Sequence, residues 1–298
     1  MIRARIPRFQ ILLLLAAFCR PLPSHAQAVD HSPSAILTPA VAVAGSPELI
    51  RVFAPDAYEV TGEWLGRKLT FFRGSNHENW YALAGLDVEA PIGGSTLNVE
   101  LKSSEGLRRF DIPVEIHSAK YRTEAISVAP RFVEPNPEDL KQIEADMQLK
   151  AQVFAASAPK PLWLGSFRTP VIAPSTDSFG VRRMYNGKLA SIHKGMDFRA
   201  YTGTPVRAGN SGMVVLARRL YYEGNCVIVD HGLGLYTVSM HLSRIDVKEG
   251  EQVSTGQKLG LSGATGRVTG PHLHWAVRWE GAYLDPAKLL HLKLDTVR

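Results

Sequence analysis

With one exception, the apolar residues of this 298-residue chain come in runs too short for a helix, each bounded by Gly, Asn, Ser or Pro. Such punctuation predicts strands. ELIRVFAP, EWLGRKLTFF, NWYALAG and STLNVELKSSEGLRRFDIPVEIH make a first set, with hairpin turns at LGRK and SSEG. They predict a small immunoglobulin-like β-sandwich over 45–120. SGMVVLARRL, NCVIVDHG, LYTVSMHLS, QKLGLSG and HLHWAVRW make a second set within 160–298, and connections this short require antiparallel pairing. The exception lies in the linker, 121–159. There Asn136 suits a helix N-cap, Pro137 the first helical position, and Glu138 and Asp139 the first turn, while Leu140, Ile143 and Met147 recur at helical spacing. A connecting helix is expected to run to about Ala156 and to dock through that apolar stripe. The fold class is therefore mainly β: an N-terminal sandwich, one connecting helix and a C-terminal antiparallel β domain.

The first residues obey other rules. Arg3, Arg5 and Arg8 precede the apolar run Ile11 to Phe18, and Pro21, Pro23 and the triplet Ser24-His25-Ala26 follow. This is the pattern of a secretory signal peptide over 1–26, cut after Ala26 or alternatively Ala28. Cys19 lacks the flanking residues of a lipidation site, with Ala16 and Phe18 where leucine and a small residue belong. No later segment reaches about 18 uninterrupted apolar residues, so no stable membrane insertion is expected after cleavage. The expected location is periplasmic or extracellular. Residues 27–44 are small, Pro-containing and poorly patterned, and read as a short leader. Four arginines and no acids lie in 1–26, so cleavage lowers the net charge from +6 to +2. No dense basic face with interleaved aromatics remains, and no nucleic-acid partner is expected. Cys226 is then the one remaining cysteine, expected as a small buried strand residue.

Six of the ten histidines fall in the second set: His193, His231, His241, His272, His274 and His291. In an extended chain residues i and i+2 share a face, so His272 and His274 of PHLHW point into one site. In SIHKGMDFRA, His193 precedes Asp197 by four residues; a helix would bring them together, as would a loop that enters a strand, and Gly195 favours the loop. Neutral imidazole and carboxylate suit zinc, whose catalytic sites take three protein ligands and leave a fourth position open. His193, Asp197 and one histidine of the HLH pair supply that number. The other histidine of the pair then faces the reacting water, with His241 of MHLS a further imidazole.

HKGMDFRAYTGTPVRAGNSGMV, followed by GNCVIVDHGLGLYTVSMHLSRIDVKEGEQVSTGQKLGLSGATGRVTGPHLHW, resembles the M23 peptidases, the lysostaphin-like or LytM-type zinc endopeptidases, over about 163–290. The resemblance implies that His193, Asp197 and His274 bind zinc, one ion per catalytic domain, and that His241 and His272 are the catalytic histidines. It implies hydrolysis of peptide bonds in peptidoglycan stems or cross-bridges by a zinc-activated water. His272 or His241 would accept the water's proton and the other would stabilise the oxyanion or protonate the leaving amine; the sequence does not divide these roles, and His272 is the expected base. Peptidoglycan is then the partner. Many relatives carry an aromatic residue two before the MHLS histidine, where this chain has Ser239; Tyr236, at odd separation, is expected on the other side of the strand.

Two other classes of function stay open. One is a non-enzymatic LytM-type module that binds the wall or activates an amidase, although such relatives usually lack a zinc ligand; the other is a zinc peptidase acting on proteins. The remaining candidates have structural readings: His77 in a loop, His117 at a strand end, His231 in a hairpin turn and His291 near the C-terminus. Arg182 and Arg183 are expected either to meet carboxylates of an acidic peptide or to line a solvated strand edge. VKEGEQVSTGQKLG resembles a hairpin of biotinyl and lipoyl carriers, without a suitably placed lysine. The sandwich either positions the enzyme on the wall or covers its metal site.

Overall fold

The computed structural model describes residues 34–125, 135–176, 179–185 and 188–294, so the signal peptide and Cys19 lie outside the described residues. The first half folds as two sheets. Ser34–Thr38, Pro47–Phe53, Asn79–Gly85 and Phe72–Arg73 form one, in that spatial order. Ala42–Val43, Gly106–His117, Gly93–Ser103, Ala57–Trp64 and Arg67–Thr70 form the other. Alternation drives their association: Leu97, Val99 and Leu101 turn inward from one sheet and Ile50, Val52 and Trp80 from the other, all buried in one apolar core. The expected turns are present at Leu65-Gly66 and Ser104-Glu105.

The reading of 27–44 as a leader needs correction from Ser34 onward. Ser34–Thr38 pairs antiparallel with Pro47–Phe53, from Ser34 opposite Phe53 to Thr38 opposite Leu49. Its residues lack a strand pattern because the neighbouring strand supplies the ladder partners, a contribution invisible locally.

A seven-stranded antiparallel sheet dominates the second half. Its main order is Met196–Phe198, Leu273–Trp279, Leu235–Leu242, Gly224–Asp230, Gly212–Leu220 and Gln252–Val253, with Ala282–Leu284 paired to Leu273–Trp279. Along Leu273–Trp279 the odd residues Leu273, Trp275, Val277 and Trp279 enter the interior core. The even residues His274, Ala276 and Arg278 therefore share the opposite face.

Helix α1 (Pro137–Phe154) lies across that opposite face, with Leu149, Val153 and Phe154 packed against Leu216, Ile228, Tyr236 and Ala276. Its start follows expectation: the Asn136 side chain accepts from the Glu138 and Asp139 amides at 3.0 and 2.8 Å. Its docking face does not. Leu140 and Met147 are exposed, whereas Asp146 is buried, so the Leu140/Ile143/Met147 stripe is not the surface that docks. Polar partners on the sheet side select the other face, as described below.

The two halves are joined by direct contacts, two of them at the edge of the seven-stranded sheet where Ala282–Leu284 and Met196–Phe198 both flank Leu273–Trp279. The Asp285 amide donates to the Gly45 carbonyl at 2.7 Å and the Tyr283 amide to Asp87 Oδ2 at 2.8 Å. Phe72 meets Trp163 edge to face at 6.0 Å between centroids. Asp285 also caps helix α2 (Pro286–His291).

Candidate metal centre

Asp197 and His274 stand directly opposite each other on the paired strands Met196–Phe198 and Leu273–Trp279, and so share a face. His193 begins the short loop that leads from Lys188–Ile192 into the first of these strands, and backbone bonds hold it there: its amide donates to Val181 and its carbonyl accepts from Gly180. The expected loop, rather than a helix, spans His193 to Asp197. His193 Nε2, His274 Nδ1 and Asp197 Oδ1 converge, with separations of 2.9 Å between the imidazoles, 2.9 Å from His274 to Asp197 and 3.2 Å from His193 to Asp197.

This triangle fits one small cation. Three ligands at about 2.0–2.1 Å from a tetrahedral zinc would be about 3.3 Å apart, slightly wider than the separations observed. Two imidazole nitrogens at rest cannot each satisfy the other and the same carboxylate oxygen, whereas a cation at their centre satisfies all three. Burial opposes charge on Asp197, but hydrogen bonds from His193 and His274 outweigh it and hold the carboxyl far below the usual carboxylate range. Burial likewise pushes the His274 imidazole down, toward the neutral form that ligates metal.

Gly195 makes room for this geometry. A Cβ there would lie 2.3 Å from His274 Nε2 and 2.9 Å from the Trp275 carbonyl oxygen. Gly195→Ala is therefore expected to push the His274 ring off its position and to weaken metal binding by roughly tenfold or more, with destabilisation of about 1–3 kcal/mol. Competitive zinc titration and thermal melts check both effects; unchanged affinity would mean that the ring does not set the site.

His272 and His241 stand beside the triangle. The His272 ring reaches to 3.7 Å from Asp197 Oδ1, and the His241 centroid lies 5.0 Å from that of His272. Each Nδ1–H donates to a carbonyl, His272 to Gly270 at 2.8 Å and His241 to Thr265 at 2.9 Å. Both therefore present an unprotonated Nε2. Burial, followed by the neighbouring His274 and His272, pushes the His241 pKa down to about 3.

A bulge aims His241. Between Asn225 and Val227 the partner strand advances from Leu242 to Ser239, one residue too many, and His241 adopts φ +64°. Strict alternation would have put His241 on the face of Ser239, which pairs with the interior Trp275. Instead Ser239 is buried away from the cleft, and His241 joins Met240 in lining it. The departure at Ser239 thus removes no group from the cleft. Tyr236 lies across the strand from Ser239 as expected, packed on Phe154 at 5.1 Å.

The cleft encloses about 380 Å³, and Glu124, Arg183, Lys194, Tyr222, Glu223 and Arg267 supply polar walls around the histidines. Among the described residues its lining begins at Glu124, and the sandwich comes nearest through Glu89, which pairs with the cleft residue Lys194 at 3.9 Å. Sequence reasoning missed Tyr222 and Arg267, whose guanidinium stacks over the Tyr222 ring at 4.3 Å; nothing in their spacing signals a shared site. Arg182 and Arg183 are not on a strand edge, because Arg182–Tyr185 is the middle strand of a three-stranded sheet. Arg183 comes within 4.0 Å of Asp197 Oδ2.

The other candidates stay outside. His231 is fully buried, with Nδ1–H donating to Ser211 O at 2.7 Å and Nε2 accepting from Thr237 at 2.9 Å; burial pushes its pKa down to about 4. His291 bonds the Ala287 carbonyl in α2. His77 sits at a positive-φ loop position, and His117 is exposed at a strand end. Cys226 is a free, fully buried thiol whose pKa burial raises.

Residues 191–286 match the model of peptidase family M23. The chain carries an M23 peptidase domain. That domain aligns with peptidoglycan DD-endopeptidase ShyA of Vibrio cholerae at 44% identity over 114 residues, 38% of this chain and 26% of ShyA. DD-carboxypeptidase/endopeptidase Mpg of Neisseria meningitidis is 40% identical over 98 residues, 33% of this chain and 23% of Mpg. The chain thus spans about a quarter of the length of these curated relatives. Similarity extends beyond the M23 domain in the crystal structure of a Pseudomonas aeruginosa protein ascribed to the M23 peptidases, which covers 83% of this chain and 94% of that one at 29% identity and a TM-score of 0.62.

Proposed function

We propose that this protein is an exported zinc metalloendopeptidase that hydrolyses peptide bonds in peptidoglycan stem peptides or cross-bridges. The observation that carries the reading is the convergence of His193, Asp197 and His274 on one point, with His241 and His272 at its side. The names of the M23 relatives, a peptidoglycan DD-endopeptidase and a DD-carboxypeptidase/endopeptidase, support the substrate class. A non-enzymatic wall-binding module would have no use for the complete ligand set. No helix among the described residues is long and apolar enough to cross a membrane.

His193 Nε2, His274 Nδ1 and Asp197 Oδ1 would hold the zinc. When bound, the ion supplies Lewis-acid polarisation of the scissile carbonyl and makes water a stronger acid. His272 accepts the proton of the attacking water at Nε2, keeps its Nδ1–H on Gly270, and delivers the proton to the leaving amine. At rest His241 Nε2 is an acceptor, because its Nδ1–H is committed to Thr265. It can therefore orient a water proton or a substrate N–H, and it can donate to an oxyanion only after gaining a proton.

The test pairs metal analysis with release of new amino groups from purified peptidoglycan. The protein is expected to hold about one zinc per chain, to release amines, to lose activity to a chelator and to regain it with zinc. Zinc binding without amine release across several wall types would favour the binding module.

A further inference from the structure

We propose that helix α1, which lies outside the M23 match at 191–286, is a positioning element for the catalytic cleft, and that Asp146 and Lys150 are its positioning residues. The inference rests on the reading of His241 as a catalytic group. Residues i and i+4 share a helix face, and here both side chains reach one short turn of the sheet, Tyr221 to Glu223. Asp146 Oδ2 accepts the Tyr221 amide at 2.6 Å, while its Oδ1 accepts from Gln142 at 2.7 Å. Lys150 pairs with the Glu223 carboxylate. Asp146 and Glu223 are both buried; Lys150 bonds Glu223 Oε1, and Oε2 has no hydrogen-bond partner among the described residues.

That turn is where the cleft takes its shape. The Glu223 carbonyl accepts the His241 amide at 2.8 Å, at the bulge where His241 holds φ +64°. A non-glycine residue keeps such a conformation only where its surroundings impose it. The Tyr222 carbonyl accepts the Arg267 amide at 2.8 Å, and the Tyr222 ring carries the Arg267 guanidinium in the cleft wall. Gly224, at φ +64°, lies so close to Thr265 that a Cβ would be 2.3 Å from its Oγ1. The turn is therefore seated against the segment whose Thr265 carbonyl orients the His241 ring. Both hydrogen-bond anchors of His241, amide and Nδ1–H, depend on this turn or on the segment it abuts, and α1 grips the turn at its two ends. The apolar end of the helix, Leu149, Val153 and Phe154, joins the apolar cluster of the sheet, with the Phe154 ring on Tyr236 at 5.1 Å and under the Arg278 guanidinium. Docking strength and cleft geometry are thus separable along one helix.

The experiment compares Lys150→Met, Lys150→Arg and Val153→Ala in the full chain, reading kcat and KM for amine release, zinc content, melting temperature and amide hydrogen exchange at His241 in metal-free protein. Lys150→Met strands a buried carboxylate. It is expected to lower kcat by roughly tenfold or more with KM within about twofold and zinc content unchanged. His241 amide exchange should quicken by a similar factor. Lys150→Arg should restore most of kcat, and Val153→Ala should lower the melting temperature while leaving kcat and His241 exchange near wild type. If kcat and exchange in Lys150→Met stay within about twofold of wild type, or if Val153→Ala loses as much as Lys150→Met, the positioning role is overturned. If wild type cleaves no peptidoglycan, the proposed function fails, and His241 exchange alone still decides the clamp: faster in Lys150→Met upholds it, unchanged overturns it.

Discussion

Asp197→Ala is expected to leave a folded protein that holds no zinc and releases no amines from peptidoglycan. Asp197 Oδ1 lies 2.9 Å from His274 Nδ1, 3.2 Å from His193 Nε2 and 3.7 Å from His272 Nε2, so one oxygen is the shared anion of three imidazoles. Without it, a divalent cation would meet two neutral ligands and no negative charge. Loss of a group that merely supports a metal ligand lowers affinity by about 10–100-fold, and loss of the charged ligand itself should exceed that. Asp197→Asn separates charge from shape: it keeps an oxygen in place, but the side chain is neutral. Metal analysis after gel filtration, with melting curves to establish folding, checks the expectation. An Asp197→Ala protein that kept about one zinc would remove this group from the metal site.

Much of the site was legible because strand periodicity is local. His272 and His274 share a face whichever strands flank them, and the face they share is the cleft wall. The pairing of Asp197 with His274, across 77 residues of sequence, follows from strand order and was legible only through the family resemblance. His241 marks where local reasoning fails. Period two puts it with Ser239 in the interior, and only the extra residue opposite Asn225–Val227 turns it into the cleft. A bulge is a property of two strands in register, so one strand's sequence does not announce it.

Helix α1 divides in the same way. Its cap and first turn obey rules that need only the four residues Asn136 to Asp139, and they stand as read. Its docking face was misassigned because apolar periodicity ranks Leu140 and Met147 above Asp146, whereas burial ranks them in reverse. What buries Asp146 is the amide of Tyr221, 75 residues away. The strand Ser34–Thr38 was missed for a related reason, since its partner rather than its pattern makes it a strand.

His272→Ala should separate proton transfer from metal binding. His272 is not in the ligand triangle; its ring is held through Nδ1–H on the Gly270 carbonyl, and its Nε2 stands 3.7 Å from Asp197 Oδ1. Removing the imidazole is therefore expected to leave zinc content and affinity near wild type. It should lower kcat by about 10²–10⁴-fold, the range typical of a positioned general base, with KM little changed. His241→Ala provides the contrast. His241 sits in a strained backbone, is bound through its amide to Glu223, and presents only an acceptor at rest. If His272 is the base, His241→Ala should retain more activity than His272→Ala, and the double variant should fall little below His272→Ala, because residues that act as a unit are not additive. Equal losses in the two single variants would mean that the proton is shared between them. A larger loss in His241→Ala would move the base to His241, whose Thr265 bond already points an unprotonated Nε2 away from the backbone.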